Sequence, residues 1–337
     1  MKRFIFQRIP LYFVIIIAIT CSSAAYMYAR KKVASAEIAA VDAQITANCP
    51  IEVKRMSGLK YIKPLLFVET PCESEALLPL KSKLAAIIDQ FKVQGKLETA
   101  AVYVRTYNAP ANNEWLSIND SETFSPGSLL KVPELITLLK MNELNPGFLD
   151  KKVTFSHLFA SDKNPVFLSK SIKLGQSYSV RELLKYMIVY SDNNATQLLN
   201  TVLDVQLFKK VFQDFGMEAP DWSKNDFPIT ARNFSFFMRA LYNASYLSTE
   251  DSEYATSLLA QTEFNKGMVN ALPTGVRLAH KFGEAGNDQQ KQLHESALIY
   301  GKNQTYLLTI MTKGKSFDDL PEVIKAITES AQEHLDR

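Results

Sequence analysis

The order of sequence patterns predicts an α+β fold with a five-stranded antiparallel sheet flanked by helices. Two strand patterns precede a long helical stretch, three follow it, and a helical pattern closes the chain. Strands from both ends of the chain would therefore share one sheet, with an all-α subdomain inserted between the second and third strands. The predicted strands are 99–105, 114–119, 277–283, 293–300 and 305–312.

The helices are predicted from apolar residues that recur at helical spacing. They cover 77–94, 180–190, 194–203, 231–242 and about 317–335, besides a buried helix that begins near Ser128. The α subdomain would span about 128–265. The crevice between it and the sheet is the expected place for a functional site.

Residues 1–32 have the features of a signal anchor or a signal peptide. Basic residues precede an uncharged stretch at 9–29, which is long enough to cross a bilayer. The same stretch contains Ser23-Ala-Ala25, the small-x-small form that signal peptidases cleave. The protein is therefore expected outside the cytoplasm, in the periplasm or at the cell surface, either anchored in the membrane through 9–29 or secreted.

Residues 33–76 are interpreted as a stalk and an N-terminal segment, and 77–335 as the main domain. Cys49 and Cys72 are the only cysteines beyond residue 32. In an exported chain two such cysteines are expected to form a disulfide, and the alternative is a pair of unpaired buried thiols.

Composition and charge exclude one class of partner. The 337 residues are 47% hydrophobic, which is enough to build a full core. The net charge is only +3, and no dense basic stretch is interleaved with aromatic residues. Nucleic acid is therefore not an expected partner.

The segment Ser125-Pro-Gly-Ser-Leu-Leu-Lys131 is the first candidate for catalysis. Ser125 and the proline after it have the form of a helix start, and the residues that follow are apolar enough for a buried helix. Ser128 and Lys131 lie three apart and so share one face of that helix. A serine hydroxyl needs a base, and a lysine whose pKa has been lowered by burial can take its proton. The alternative is a capping serine and a lysine whose charged end reaches solvent.

Two further motifs follow along the chain. Ser191-Asp-Asn193 lies at the junction of two predicted helices, where its side chains could serve either capping or chemistry. His280-Lys-Phe-Gly-Glu284 lies at the end of a predicted strand. Gly283 removes a side chain there, so another backbone can approach the strand closely.

In their order along the chain these motifs resemble those of the class A β-lactamase and penicillin-binding serine hydrolase superfamily, from about residue 77 to 335. The likeness rests on Phe124-Ser-Pro-Gly-Ser-Leu-Leu-Lys131, Leu183-Leu-Lys-Tyr-Met-Ile-Val-Tyr-Ser-Asp-Asn193 and His280-Lys-Phe-Gly283. It implies a β-lactamase/transpeptidase-like fold and an acyl-serine mechanism that needs neither metal nor cofactor.

The resemblance implies a role for each matching residue. Ser128 would be the acylated nucleophile and Lys131 its proton acceptor. Ser191 would relay a proton to the leaving nitrogen, while Asn193 would hold Lys131 and the substrate amide. Lys281 would add positive charge facing Ser191 and the substrate carboxylate.

Phe282, Gly283, Glu284 and His294 are expected to contact substrate. The N–H groups of Glu284 and Ser128 would form the oxyanion hole. Phe282 stands where the family has a threonine or serine that helps bind the substrate carboxylate, and Glu284 adds a negative charge, so a free carboxylate would be bound less well. His294 would either supply a donor in the same pocket or pair with the carboxylate next to it in the sequence.

A deacylation residue is harder to find in this sequence. Class A members carry a glutamate, followed by x-x-Leu-Asn, on a loop after Ser-Asp-Asn, and it activates the water that removes the acyl group. Glu218 is the nearest candidate, but its context, Glu218-Ala-Pro-Asp-Trp222, differs. Efficient β-lactam hydrolysis is therefore not expected, and slow deacylation or transfer to another acceptor fits better.

The sequence thus predicts an exported serine acyl-enzyme hydrolase that cleaves an amide or ester in a cell-wall peptide or a β-lactam. One alternative is a non-catalytic homologue that binds peptidoglycan fragments or a partner protein. Phe282 and the missing loop glutamate favour that alternative, and the intact motif residues oppose it. Another alternative is a true β-lactamase in which Glu218 holds the water.

Overall fold

The computed structural model describes residues 27, 28, 30, 32, 51–107, 114–159, 165–167, 169–221 and 227–336. Almost all of the predicted anchor at 9–29 lies outside these residues, and so does Cys49. The anchor and the disulfide between Cys49 and Cys72 therefore stay predictions. No helix within the described residues is long and apolar enough to span a membrane.

The central sheet is antiparallel, with five strands in the order β4-β3-β11-β10-β9. The predicted architecture is therefore confirmed, with strands from both ends of the chain in one sheet. Strand β9 lies at the edge, where one side of its backbone is free to meet other elements. The strands are β3 (Thr99–Tyr107), β4 (Trp115–Ile118), β9 (Arg277–Gly286), β10 (Lys291–Tyr300) and β11 (Thr305–Gly314).

Six short strands form three two-stranded sheets outside the central one. They are β1 (Glu52–Arg55) with β2 (Leu65–Glu69), β5 (Thr123–Phe124) with β8 (Ile229–Thr230), and β6 (Lys152–Thr154) with β7 (Ser177–Ser179). The pairing of β5 with β8 is antiparallel, and it connects the chain just before Ser128 to the start of a later helix.

Eight α-helices lie within the described residues. They are α1 (Leu78–Val93), α2 (Lys131–Leu144), α3 (Val180–Val189), α4 (Asn193–Asn200), α5 (Val205–Asp214), α6 (Ala231–Tyr242), α7 (Thr249–Leu259) and α8 (Leu320–Leu335). Helices α2 to α7 lie between β5 and β9 in the sequence. The predicted boundaries of a separate α subdomain stay a prediction.

Two apolar clusters hold the layers together. Helices α1 and α8 pack in one cluster through buried residues such as Leu84 of α1 and Ile324 of α8. Helices α2, α3 and α6 contribute to the other cluster, which includes Leu135, Leu184 and Phe237. The sheet contributes to both clusters, as expected for an antiparallel sheet covered by helices on its two faces.

Helix α2 differs from its prediction at the start. The residues Gly127–Leu130 form a 3-10 turn with no side-chain cap, so the predicted N-cap role of Ser125 is wrong, and the α-helix begins at Lys131. Pro133 then falls in the first turn, where a missing N–H is tolerated. Every residue from Lys131 to Leu139 is buried, whereas none of the last five residues of the helix is. Helix α2 therefore enters the core with its N-terminal part.

Glu69, at the end of β2, is a buried carboxylate surrounded by three arginines. It is 1% exposed and pairs with Arg239 of α6, which is 2% exposed. Arg105 Nη1 lies 3.6 Å from one of its oxygens, and Arg232 Nη2 lies 3.4 Å from the other. The Arg239 guanidinium also lies over the Phe67 ring, 4.4 Å from its centroid. This cluster links strand β2 to strand β3 and helix α6.

Replacing Glu69 by glutamine is expected to lower the free energy of unfolding by about 3–5 kcal/mol, because it leaves buried arginine charge uncompensated. Urea denaturation of both proteins measures the difference. The matched control is Glu329→Gln, which breaks the exposed pair with Lys325 and is expected to change stability by less than about 1 kcal/mol. Equal, small losses in the two variants would contradict a stabilising role for the buried cluster.

Candidate active site

A cleft of about 660 Å³ opens beside the turn that precedes α2. Ser128, Lys131, Asn193 and Glu284 are among the residues that line it. These side chains come from three separate parts of the chain: the turn and start of α2, the start of α4, and strand β9. The fold therefore brings residues of all three predicted motifs into one region.

The position of Ser128 depends on a close backbone approach between its turn and β9. A Cβ on Gly283 would lie 2.3 Å from Pro126 O and 2.9 Å from Leu129 N. A Cβ on Gly127, whose φ is +53°, would lie 2.2 Å from Glu284 O. No side chain fits at either position, so both glycines are required for the strand to pack against the turn.

Lys131 is buried, and its amine is held by the Ser191-Asp-Asn193 segment. Nζ donates to Ser191 O at 2.6 Å and to Asn193 Oδ1 at 2.7 Å, and it lies 3.2 Å from Ser191 Oγ. Burial lowers the Lys131 pKa to about 8, against the opposing effect of nearby carboxylates, of which Glu134 has the largest. An amine with a pKa this low is neutral in about one molecule in ten at pH 7, far more often than an exposed lysine, and the neutral form can accept a proton.

The three residues of Ser191-Asp-Asn193 have different contacts: Ser191 and Asn193 bind the amine of Lys131, and Asp192 caps a helix. Ser191 has φ +54°, an uncommon conformation for a residue with a side chain, and it turns the chain between α3 and α4. Asp192 caps α4 by accepting from Asn194 N at 3.0 Å, and it also accepts from Ile172 N at 2.9 Å. The cap thus fixes the backbone that presents Ser191 and Asn193 to Lys131.

Lys281 of strand β9 contacts the same hydroxyl of Ser191. Its Nζ lies 2.8 Å from Ser191 Oγ and 2.9 Å from Phe282 O, and its side chain is fully buried. Burial, and then the charge of Lys131, lower the pKa of Lys281 well below its ordinary value. Two buried amines at one hydroxyl disfavour a proton charge on both, so Ser191 can exchange protons with a neutral amine.

Phe282 lies in a second, smaller cavity rather than among the residues that line the cleft. It stacks on Phe264 with ring centroids 4.1 Å apart and contacts Phe167 edge-on at 6.1 Å. The smaller cavity, of about 270 Å³, has Phe282 in its wall. Phe282 therefore acts as part of an aromatic cluster behind Lys281, whose ammonium lies 4.2 Å from the ring centroid.

Glu284 lines the cleft, but its carboxylate is already engaged. One oxygen accepts from Val166 N at 2.9 Å and the other from Phe167 N at 3.3 Å. Burial raises the Glu284 pKa, and these hydrogen bonds oppose the change. The side chain thus fastens residues 165–167 to the strand, while its backbone lies beside the turn that carries Ser128.

His294 supports the site from behind and does not line the cleft. Thr312 N donates to Nδ1 at 3.2 Å, so Nε2 carries the proton and donates to Ser125 O at 2.9 Å. Burial lowers the His294 pKa to about 4, which keeps the ring neutral. The alternative pairing with the neighbouring carboxylate is wrong, because Glu295 is bonded to His280 at 2.7 Å.

Glu218 and Glu134 differ in their placement relative to the cleft. Glu218, the deacylation candidate of the sequence, is exposed in the segment after α5 and is not among the residues that line the cleft. Glu134, on α2, is 5% exposed and lines the cleft together with Ser128 and Lys131. Sequence reasoning missed Glu134, although a carboxylate within the largely apolar run 129–139, three positions after the lysine, was a usable signal.

No metal centre is visible in the part of the chain that the structure describes. There, no three histidine, cysteine, aspartate or glutamate side chains are grouped so that they could hold an ion. The chemistry that the described side chains can perform is proton transfer between the Ser191 hydroxyl and the amines of Lys131 and Lys281.

Solved structures with the same fold are numerous, and three show the extent of the likeness. A mutant of PBP-A, in its acyl-enzyme complex with penicillin G, is 19% identical, with a TM-score of 0.62 over 77% of this chain and 97% of that one. The β-lactamase from Sphaerobacter thermophilus DSM 20745 is 19% identical, with a TM-score of 0.64 over 75% and 96%. The class A β-lactamase from Mycobacterium abscessus is 18% identical, with a TM-score of 0.63 over 77% and 100%. At such identities the likeness shows the fold alone.

Comparison at the level of sequence gives one match and one negative result. No curated protein matches the sequence. The model of the β-lactamase enzyme family matches residues 79–336, which is close to the domain predicted from the motifs. That match covers more than half of the chain, and it includes every residue that surrounds Ser128. The chain belongs to the β-lactamase enzyme family.

Proposed function

We propose that this chain is a catalytic serine hydrolase that cleaves an amide or ester bond through an acyl-Ser128 intermediate. The observation that carries the proposal is that Lys281 and Lys131 both lie within hydrogen-bond distance of Ser191 Oγ, at 2.8 and 3.2 Å. Burying amines is costly, because a cation loses its hydration and a neutral amine must give up its proton. A protein that only bound wall fragments would have no need of that arrangement.

Acylation in this proposal uses the neutral amine of Lys131. Ser128 Oγ bonds to the substrate carbonyl carbon while its proton passes to Lys131. The N–H groups of Ser128 and Glu284 stabilise the developing oxyanion. As the bond to the leaving group breaks, Ser191 gives its proton to the leaving atom and takes one from Lys131. The acyl group then remains on Ser128, and Lys131 is neutral again.

A cell-wall peptide or a β-lactam is the substrate class that we propose. The penicillin G complex of the PBP-A mutant is a precedent for such an acyl-enzyme on this fold. The cleft volume, about 660 Å³, lies in the range of sites that take ligands of this size. Because Phe282 offers no hydroxyl, weak recognition of a free carboxylate is part of the proposal.

The same proposal includes an extracytoplasmic location, in the periplasm or at the cell surface. It rests on the sequence of residues 1–32, which fits an anchor through 9–29 or a cleaved signal. A disulfide between Cys49 and Cys72 fits the oxidising environment that such a location provides.

Ser128→Ala is expected to abolish covalent labelling by a fluorescent penicillin or an activated ester, because the acylated hydroxyl is removed. Labelling is measured by gel fluorescence and by the mass of the intact protein. The matched control is Ser57→Ala, because Ser57 and Lys60 repeat the Ser-x-x-Lys spacing outside the site, where Ser57 Oγ donates to Asp214 at 2.7 Å. This control is expected to label as the unmodified protein does.

Two outcomes would replace the proposal. If the unmodified protein stays unlabelled with every acyl donor, and binds soluble wall fragments as tightly as Ser128→Ala does, the function is binding without catalysis. If nitrocefin is turned over rapidly and Glu218→Gln abolishes the turnover, the protein is a true β-lactamase with Glu218 as its base.

The acylation rate is expected to rise about tenfold per pH unit below the Lys131 pKa and to level off above it, since only the neutral amine accepts a proton. That pKa is about 8. The second-order rate of labelling, measured from mildly acidic to alkaline pH, checks the profile. The Lys131→Arg variant, whose guanidinium stays protonated, is expected to remain unlabelled at every pH. A rate that is independent of pH in the unmodified protein would contradict Lys131 as the base.

A further inference from the structure

Helices α2 and α4 contribute a group of polar residues to the lining of the cleft. The group consists of Glu134 of α2 and Thr196, Gln197 and Asn200 of α4. The same two helices carry Lys131 and Asn193, which are hydrogen-bonded to each other. These polar residues therefore belong to the same two helices as the amine and amide groups of Lys131 and Asn193.

Glu134 is a buried carboxylate that is not fully satisfied by hydrogen bonds. It is 5% exposed, and within the described residues its Oε2 has no hydrogen-bond partner. Asn200 Oδ1 also lacks a partner there. Buried polar atoms in folded proteins are nearly always paired, and ordered water is the usual partner where the protein supplies none. A single water molecule has two protons and can donate one to each of these two oxygens.

The direction of the helix aims Glu134 at the site. It lies one turn after Lys131, on the same face of α2, and helical side chains tilt toward the N-terminus of their helix. The carboxylate is therefore directed back toward Lys131 and the turn that carries Ser128. Lys131 makes its hydrogen bonds to Ser191 and Asn193, which leaves the carboxylate of Glu134 available for another role.

We propose that Glu134 and Asn200 hold the water that hydrolyses acyl-Ser128, with Glu134 as the general base. This inference rests on the proposed function, because it requires an acyl group on Ser128. It assigns the deacylation role to a residue on the helix of the nucleophile itself and not to Glu218, which is exposed and outside the cleft lining.

Deacylation then transfers one proton around the site and leaves every group in its starting state. Glu134 takes a proton from the water while the water oxygen bonds to the acyl carbon. The proton passes from Glu134 to the neutral amine of Lys131 and from there to Ser128 Oγ as the ester bond breaks. The product leaves as a free acid, with Glu134 ionised and Lys131 neutral.

The electrostatics of Glu134 suit this role. Burial raises its pKa to about 7, and the Lys131 charge and a hydrogen bond from the Asn200 side chain limit the increase. A carboxylate with such a pKa is a stronger base than an exposed one, yet it is still largely ionised slightly above neutral pH. A buried carboxyl group with an unpaired oxygen also lowers stability, so removing it should not destabilise the fold.

The test separates the two half-reactions of the enzyme with Glu134→Gln, which keeps the shape of the side chain. Acylation by a fluorescent penicillin or an activated ester, measured above pH 8 where Lys131 is mostly neutral in both proteins, is expected within about threefold of the unmodified protein. The deacylation rate, followed by the mass of the intact acyl-enzyme, is expected to fall by about 100-fold or more, the usual share of general base catalysis. The melting temperature is expected to stay equal or rise. Glu218→Gln is the matched control and is expected to leave both rates unchanged.

The pH profile gives a readout that a purely structural role would not change. In the unmodified protein the deacylation rate should rise with pH through about 7, where Glu134 becomes ionised, and further through about 8, where Lys131 becomes neutral. In Glu134→Gln the part of the rise near pH 7 should disappear. The profile of the unmodified protein also tests the inference if the variant fails to fold. A Glu134→Gln variant that deacylates at the normal rate, or a deacylation rate independent of pH in the unmodified protein, would overturn the inference. Absence of acylation in the unmodified protein would instead refute the proposed function.

Discussion

The close contact between strand β9 and the turn before helix α2 is the constraint on which the rest of the site depends. Gly127 and Gly283 allow the two backbones to meet at distances that no Cβ could occupy. With the strand in this position, Lys281 reaches Ser191 and the backbone of Glu284 lies beside Ser128. A larger residue at either glycine would move the strand, and Ser191 would lose its contact with the amine of Lys281.

The electrostatics of the site follow from that packing. Lys131 and Lys281 are both shielded from water, so each has a pKa below its ordinary value, and each lowers the tendency of the other to be charged. Ser191 lies between them in a left-handed conformation. In the proposed mechanism, a hydroxyl placed between two such amines would pass a proton from the nucleophile to the leaving group without a large separation of charge.

Several residues contribute by fixing these groups rather than by chemistry. His294 holds the carbonyl of Ser125 from inside the sheet, Asp192 caps the helix that presents Asn193, and Glu284 fastens residues 165–167. Each supporting side chain is itself hydrogen-bonded, so the positions of the reacting groups are set by a second layer of contacts. Glu134 stands apart from this group, since its carboxylate has an oxygen that no described residue satisfies.

The sequence by itself determined the five strands of the central sheet, most of the helices and the motif residues around Ser128, because periodicity and motif spacing are local properties of the chain. It did not predict helices α5 and α7 or the short strands. It misplaced the start of α2, since the 3-10 turn is set by contact with β9. It also could not assign Phe282, His294 or Glu134, because the direction of a side chain relative to a cleft depends on which helices and strands pack against it. Only the tertiary structure decided that Phe282 joins an aromatic cluster, that His294 supports a backbone carbonyl, and that Glu134, in the buried half of α2, lines the cleft.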